Sequence, residues 1–455
     1  MSNLHVWYTD PWGRLLPWSF RDEREGEELA MFICSDDTKE ARIPEGTKEF
    51  TSLPSLPELR ILHLPSTLEV VTEEAICSLF HLEEVDIGDN QNFITQTGFL
   101  HCKTNGANLM IHGAPRIAIP SFVENPEELC FEHLYTEELD LSSEMKILHG
   151  NQIRFNSKLR NLILPDGLET VKSGAIKKCN KLEHLHFPDK VRELMRCSIM
   201  GCDNLKSISI PLAMEKISPV FFHFCPKLCE IIISPDHPHY YMKNDMLIGK
   251  EGTLVASLMN IEEAIIPEGV TVIPKELFCR RMQLRKVITP SSLRCIEQQA
   301  FSEADNLEEI QLNEGLETIQ GRAFSSEKIT SIRLPDSLRE IRGDCFSSCP
   351  ALEQIEISDD HPMFKMENQM LLTKDGQKVV LALCSITHAI VPEGVKEIGE
   401  YAFFECLELQ ELILPDTIEK IGSHAFEFCK KLEKVAIPTG VNVAEDAFLY
   451  CKLLK

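Results

Sequence analysis

Leu409-Gln410-Glu411-Leu412-Ile413-Leu414-Pro415, followed by Ile418, Ile421, Ala425-Phe426 and Cys429, spells out a unit that the rest of the chain repeats. Leu412 and Leu414 stand two apart, so they point to one side of a short strand, and Ile413 between them points to the other. Pro415 has no N–H for ladder pairing, so it ends the strand and turns the chain. Ile418 and Ile421 lie on the returning half, where Ala425 allows close approach and Phe426 fills the interior. One such loop cannot close a core. Stacked copies can, Leu on Leu and Phe on Phe, and the stretch therefore predicts a solenoid.

The same slots recur upstream as Leu159, Leu162, Leu164-Pro165, Leu168, Val171, Ala175 and Cys179, and again as Leu182, Leu185, Phe187-Pro188, Val191, Ile199 and Cys202. The proline slot falls at 44, 65, 88, 120, 142, 165, 188, 211, 234, 267, 290, 313, 335, 358, 392, 415 and 438. Of the sixteen spacings, thirteen are 21 to 23 residues and three are 32 to 34. A register held this long predicts one array, residues 38–455, of about seventeen coils. Residues 1–37 precede it and hold all three tryptophans, Trp7, Trp12 and Trp18. A solenoid end must be covered to stop end-to-end stacking, so this segment reads as a Trp-rich N-terminal cap, with an aromatic sugar platform as the alternative.

The three long spacings hold insertions of one kind: Gly98–Leu109, Asp245–Leu254 and Gln369–Val379. Each has an apolar strand, a Lys, a turn ending in Gly and a second strand, which is the pattern of a β-hairpin. Asp236-His237-Pro238 and Asp360-His361-Pro362 precede the last two. These hairpins either project to bind or lie down to cover a neighbouring coil.

The unit L-x-x-I-x-L-P…A-F-x-x-C resembles the BspA-like leucine-rich repeats, found largely in bacteria and some protists. The resemblance implies a β-rich α/β leucine-rich-repeat solenoid, right-handed, with a concave parallel β-sheet and short helical or irregular convex segments. It also implies surface association or adhesion, with a protein, including a host-surface protein, as ligand.

Composition narrows the partners. The 455 residues carry 71 acidic against 46 basic side chains, a formal charge of −25, which repels phosphate backbones and anionic lipid. Nucleic acid is thereby excluded, and no apolar run approaches the ~20 residues of a membrane-inserting helix. The residues from Met1 to Asp10 lack a basic start and an apolar stretch, so the sequence as given reads as cytoplasmic. Cell-surface or secreted placement is the alternative that the resemblance implies.

The seventeen cysteines are explained by the repeat before any chemistry is invoked. Cys179, Cys202, Cys225, Cys349, Cys406, Cys429 and Cys451 fill one slot, where buried thiols act as small apolar groups. No C-x-x-C pair or compact Cys/His cluster suggests a metal, and no motif suggests a cofactor or a catalytic centre. The chain reads as no enzyme.

Function is sought in the strand residue between the two inward ones. Coil by coil this column reads Ile163, His186, Ser209, Ile232, Ile265, Ile288, Gln311, Arg333, Glu356, Ile390, Ile413 and Ala436. Six isoleucines on a water-facing sheet make an apolar stripe of the sort that marks an interaction surface, although β-branched residues also simply favour strands. The expectation is a non-catalytic scaffold that binds a protein on the concave face. A carbohydrate-binding adhesin using the aromatic cluster or the hairpin tips, and a passive spacer, are the alternatives.

Overall fold

The computed structural model describes residues 4–9, 14–17, 31–53, 55–72 and 74–454. They form two compact units, Met1–Ile217 with Phe221–Ile232, and Ser218–Val220 with Ile233–Lys455. Both are β-solenoids, and the chain makes about seventeen turns in all.

The first unit starts with an antiparallel sheet of Leu15–Pro17, Leu4–Thr9 and Met31–Ser35, in which Trp7 pairs with Pro17 and Phe32. Trp12 and Trp18 lie outside the described residues. Parallel strands then follow one per coil: Glu40–Arg42, Ile61–His63 and Glu84–Asp86, then Arg116–Ala118, Glu138–Asp140 and Asn161–Ile163, then His184–His186, Ser207–Ile210 and Glu230–Ile233. Two further columns of two-residue strands close the coils, exemplified by Thr170–Val171 and Ile176–Lys177.

In the second unit the main column runs Glu263–Ile265, Lys286–Ile288 and Glu309–Gln311, then Ser331–Arg333 and Gln354–Glu356, then His388–Ile390, Glu411–Ile413 and Lys434–Val435. The registers are slot on slot: Ala264 pairs with Val287 and Val287 with Ile310. The middle residue is buried and its two neighbours are turned outward, as in Glu411–Ile413.

The expected convex helices are almost absent. Among the described residues only Pro126–Glu128 is helical, and it is a single 3-10 turn. The reason is local. Many returning arms hold residues at positive φ before the A-F pair and before the Cys slot, such as Tyr401 (58°) and Glu405 (57°), or His424 (53°) and Phe428 (64°). Left-handed residues every four positions cannot continue a right-handed helix. The freed amides bond the next coil instead: Phe403 N–H donates to Ala425 O at 2.7 Å, and Phe426 N–H to Ala447 O at 2.7 Å.

The core is stacked as the slots require. Phe278, Phe301, Phe324 and Phe346 form one column with centroids 5.0, 5.5 and 5.3 Å apart. Phe403, Phe426 and Phe448 form another, at 4.9 and 4.9 Å. All seventeen cysteines are free thiols. In the Cys slot of the second unit they serve the preceding coil: the Cys429 thiol donates to Phe403 O at 3.2 Å and the Cys451 thiol to Phe426 O at 3.0 Å, whereas Cys179, Cys202 and Cys225 in the first unit donate to carbonyls two residues back.

Each insertion is larger than a two-strand hairpin. A preceding strand joins it, giving three antiparallel sheets: Phe93–Gln96 with Phe99–Cys102 and Asn108–Met110, Tyr240–Lys243 with Met246–Gly249 and Leu254–Ser257, and Phe364–Glu367 with Met370–Thr373 and Lys378–Ala382. The missed turns are Thr97-Gly98, Asn244-Asp245 and Asn368-Gln369, every residue at positive φ, the backbone of a two-residue hairpin turn. The Asp-His-Pro motif locks the approach to the last two of these turns. His361 is fully buried, and its Nδ1 accepts from the backbone N–H of Met363 and of Phe364, each at 3.1 Å, while Nε2 donates to Pro335 O at 3.1 Å.

Candidate recognition face

The residue column singled out in the sequence lies on the outward side of the parallel strands, because its buried neighbours take the inward side of a period-two backbone. In the first unit Ile163, His186 and Ile232 are exposed and Ser209 is half-buried. The His186 Nδ1 and Ser209 Oγ are 2.9 Å apart across the ladder. Closer to the N-terminus the same face is charged and internally paired. His63 sits between Glu40 Oε1 at 2.8 Å and Asp86 Oδ2 at 2.6 Å. Arg116 bridges Glu138 at 2.9 Å and Asp140 at 2.8 Å, and the Asp140 contact first, then Glu138, pushes the guanidinium up from its ordinary range.

In the second unit the column divides into two apolar stations around a polar one. Ile265 is 45% exposed and pairs in register with half-buried Ile288. Ile390, 56% exposed, pairs with Ile413, 48% exposed. Between these stations stand exposed Gln311, Arg333 and Glu356, the last two in register, and exposed Ala436 follows at the far end.

The insertions shape this face. The strand Phe364–Glu367 rises beside Arg333 and Glu356 and makes a cleft of about 520 Å³, whose walls include Gln354, Asp359 and Lys365. The Lys374 ammonium donates to Asp359 O at 2.7 Å and fixes the rim. The insertion turns also clamp the isoleucine strands: the Asn244 side-chain amide donates to Ile265 O at 2.9 Å, and that of Asn368 to Ile390 O at 3.1 Å. This pairing of the second and third turns with an exposed isoleucine was not foreseen from the sequence. The Asn-Asp and Asn-Gln dipeptides were its available signal.

A second column went unweighed in the sequence: the residue just before A-F, which in this unit is Gln299, Arg322, Asp344, Tyr401, His424 and Asp446. Among the described residues no group of three or more His, Cys, Asp or Glu side chains could hold a metal ion. Nor is any helix among them long and apolar enough to cross a membrane. The face offers apolar, charged and hydrogen-bonding contacts spread over many coils, which suits recognition of another surface.

A profile of the BspA type leucine-rich repeat region, six copies long, matches residues 112–203, 150–246, 255–367 and 377–455, most of the chain. No curated protein matches. Among solved structures, a leucine-rich repeat protein from Eubacterium ventriosum is similar at 13% identity, covering 93% of each chain with a TM-score of 0.39. The pneumococcal vaccine antigen PcpA is similar at 15% identity over 90% of this chain and 89% of its own, with a TM-score of 0.41. A leucine-rich cell surface protein from Faecalibacterium prausnitzii is 19% identical over 71% of this chain and 88% of its own, with a TM-score of 0.39.

Proposed function

The chain belongs to the BspA-type leucine-rich repeat family, and from that premise we propose that it is a non-catalytic binding scaffold whose outward strand column recognises a protein. The observation that carries this is the two in-register isoleucine pairs, Ile265 with Ile288 and Ile390 with Ile413, largely exposed on strands whose inward slots are already filled. Exposed aliphatic side chains in contiguous register are costly in water and gain by burial against a partner, at roughly 25 cal/mol per Å² of apolar area removed. The partner that fits is a protein with an apolar patch and a net positive charge. The whole chain carries −25, while the strand starts beside the stations are mixed: Glu263, Lys286 and Glu309 at the first, with Lys286 paired to Glu309 at 2.9 Å, and His388, Glu411 and Lys434 at the second.

The test is capture of partners from the native source with the unmodified chain, with Ile265→Glu/Ile288→Glu and with Ile390→Glu/Ile413→Glu. Each double variant is expected to keep its melting profile, since no inward slot changes. Each should lose most of the partner recovered by the parent, because carboxylates would be desolvated at an interface centre. Unfolding of the variants, or capture undiminished by both, would sink the proposal.

A further inference from the structure

The third insertion also alters the returning side of its unit. In an ordinary coil thirteen residues lead from Ile398 to Glu411, where the next main strand starts. In the insertion coil only nine lead from Val379, the ladder partner of Ile398, to His388. The arm is four residues short, and the coils on either side of it meet across the gap. The Ser348 hydroxyl donates to Glu405 Oε2 at 2.8 Å across 57 residues of sequence. A Cβ at Gly343 would lie 2.4 Å from Glu400 O, so glycine is what allows this approach.

Beside this seam lies a cavity of about 590 Å³ walled by Gln298, Thr318, Gln320, Arg322, Arg342 and Asp344, with Tyr401 at its edge. Its two guanidiniums lie against aromatic rings and are nearly half exposed, at 48% for Arg322 and 45% for Arg342. The Arg322 guanidinium lies over the Phe404 ring at 5.2 Å, and that of Arg342 over Tyr401 at 5.4 Å. Their carboxylate neighbours are at 3.8 Å (Asp344) and 3.6 Å (Glu400), beyond a good hydrogen bond. Neither guanidinium donates a side-chain hydrogen bond among the described residues. Asp344 is only 6% exposed, and its Oδ1 has no partner. Gly321 makes room for this carboxylate, since a Cβ there would stand 2.7 Å from Oδ1. A buried carboxylate and two half-exposed guanidiniums thus line one cavity, a mix that suits an occupant able both to donate and to accept.

We propose that this cavity, on the returning side of the third insertion, binds a neutral saccharide. Charge excludes the other small classes. The carboxylates of Glu340, Asp344 and Glu400 outnumber the two guanidiniums, so an anion gains little, while the guanidiniums repel a cation. A purely apolar ligand would leave the same donors and acceptor unmet. Hydroxyl groups both donate and accept, so a polyol can give hydrogen bonds to Asp344 while receiving them from Arg322 and Arg342. Tyr401 is already stacked on His424 at 4.9 Å and lies under the Arg342 guanidinium at 5.4 Å, so it is placed to meet the sugar with its edge and hydroxyl. This site is independent of the outward strand column.

The test is saturation-transfer NMR and calorimetry on the full chain with glucose, galactose, mannose and N-acetylglucosamine, and with lactose, cellobiose, mannobiose and chitobiose. At least one disaccharide is expected to bind with a Kd of about 1 mM or tighter. Arg342→Met, which keeps an apolar stem on Tyr401, and Asp344→Asn, which keeps the shape of the carboxyl group, should each weaken it at least about tenfold. Ile390→Glu/Ile413→Glu should leave it unchanged. No binding by any of the eight sugars overturns the proposal, as does binding that both cavity variants reduce less than about twofold.

Discussion

Phe426→Ala tests the stacking logic most directly. Phe426 is fully buried, parallel to Phe448 at 4.9 Å and within 20° of Phe403 at 4.9 Å. Removing the ring from a closed core costs about 3–5 kcal/mol, a range that includes the lost contacts with both neighbouring rings. In a solenoid this cost falls on the coils that share the ring and is not spread over the chain. Among the described residues the strand Asn442–Val443 pairs only with Lys420–Ile421. The amides of Phe426 and Phe428, which donate to Ala447 O and Leu449 O, should therefore lose roughly 10²–10⁴-fold of their hydrogen-exchange protection. Amides of the first unit, such as Gly174 and Ile176, should exchange at the parent rate. Unchanged protection across 397–454 would show that the ring is not a core element. Equal loss in both units would show that coils are not coupled chiefly to their neighbours.

Three further outcomes follow. Thiol titration of the denatured, unreduced protein should return close to seventeen groups, and stable inter-coil disulfides would contradict the packing account of the ladder. In the native protein exposed Cys77 and Cys229 should react first, and Cys349 should lag, since burial pushes its thiol up to about 12. Burial also holds the Asp344 carboxyl above its ordinary range, with Arg342 and Arg322 opposing only in part. A raised folded-state carboxyl disfavours the fold once it ionises, so the penalty is absent below the ordinary range and grows as pH rises through it. Asp344→Asn should therefore raise the melting temperature at about pH 7 and lose that advantage near pH 3, and a constant difference at all pH values would refute the assignment.

The coil count, the Phe and Cys columns and the outward strand column could be read from the sequence because each rests on a period. Ile413 points outward because Leu412 and Leu414 are tied to the core side, and no tertiary detail is needed to deduce it. The short strands Thr170–Val171 and Ile176–Lys177 could not be read, since two residues carry no alternation. The convex helices failed for a different reason. Left-handed backbone at residues such as Glu405 and Phe428 is imposed by coil closure, and Glu and Phe give no local hint of it. The extra strand of the last two insertions escaped because its turn residues, Asn244-Asp245 and Asn368-Gln369, lack the glycine that usually announces such a turn.

The places where periodicity breaks are also where the surface acquires shape. A coil repeating every 23 residues lays identical slots over identical slots, and its faces are ladders with little relief. The third insertion changes that twice at once. Its first strand stands beside Arg333 and Glu356 and makes a cleft on the outward face, and its shortened arm leaves the Arg322–Arg342–Asp344 cavity on the returning side. Both depend on the same chain segment, yet they are built from different residues. Lengthening the arm by four residues after Leu383 would restore an ordinary coil there and should close the cavity without touching Phe364–Glu367. Saccharide binding would then be lost while partner capture by Ile390 and Ile413 persisted. Joint loss of both would mean that the insertion acts as one unit, and that the two faces are not separable recognition surfaces.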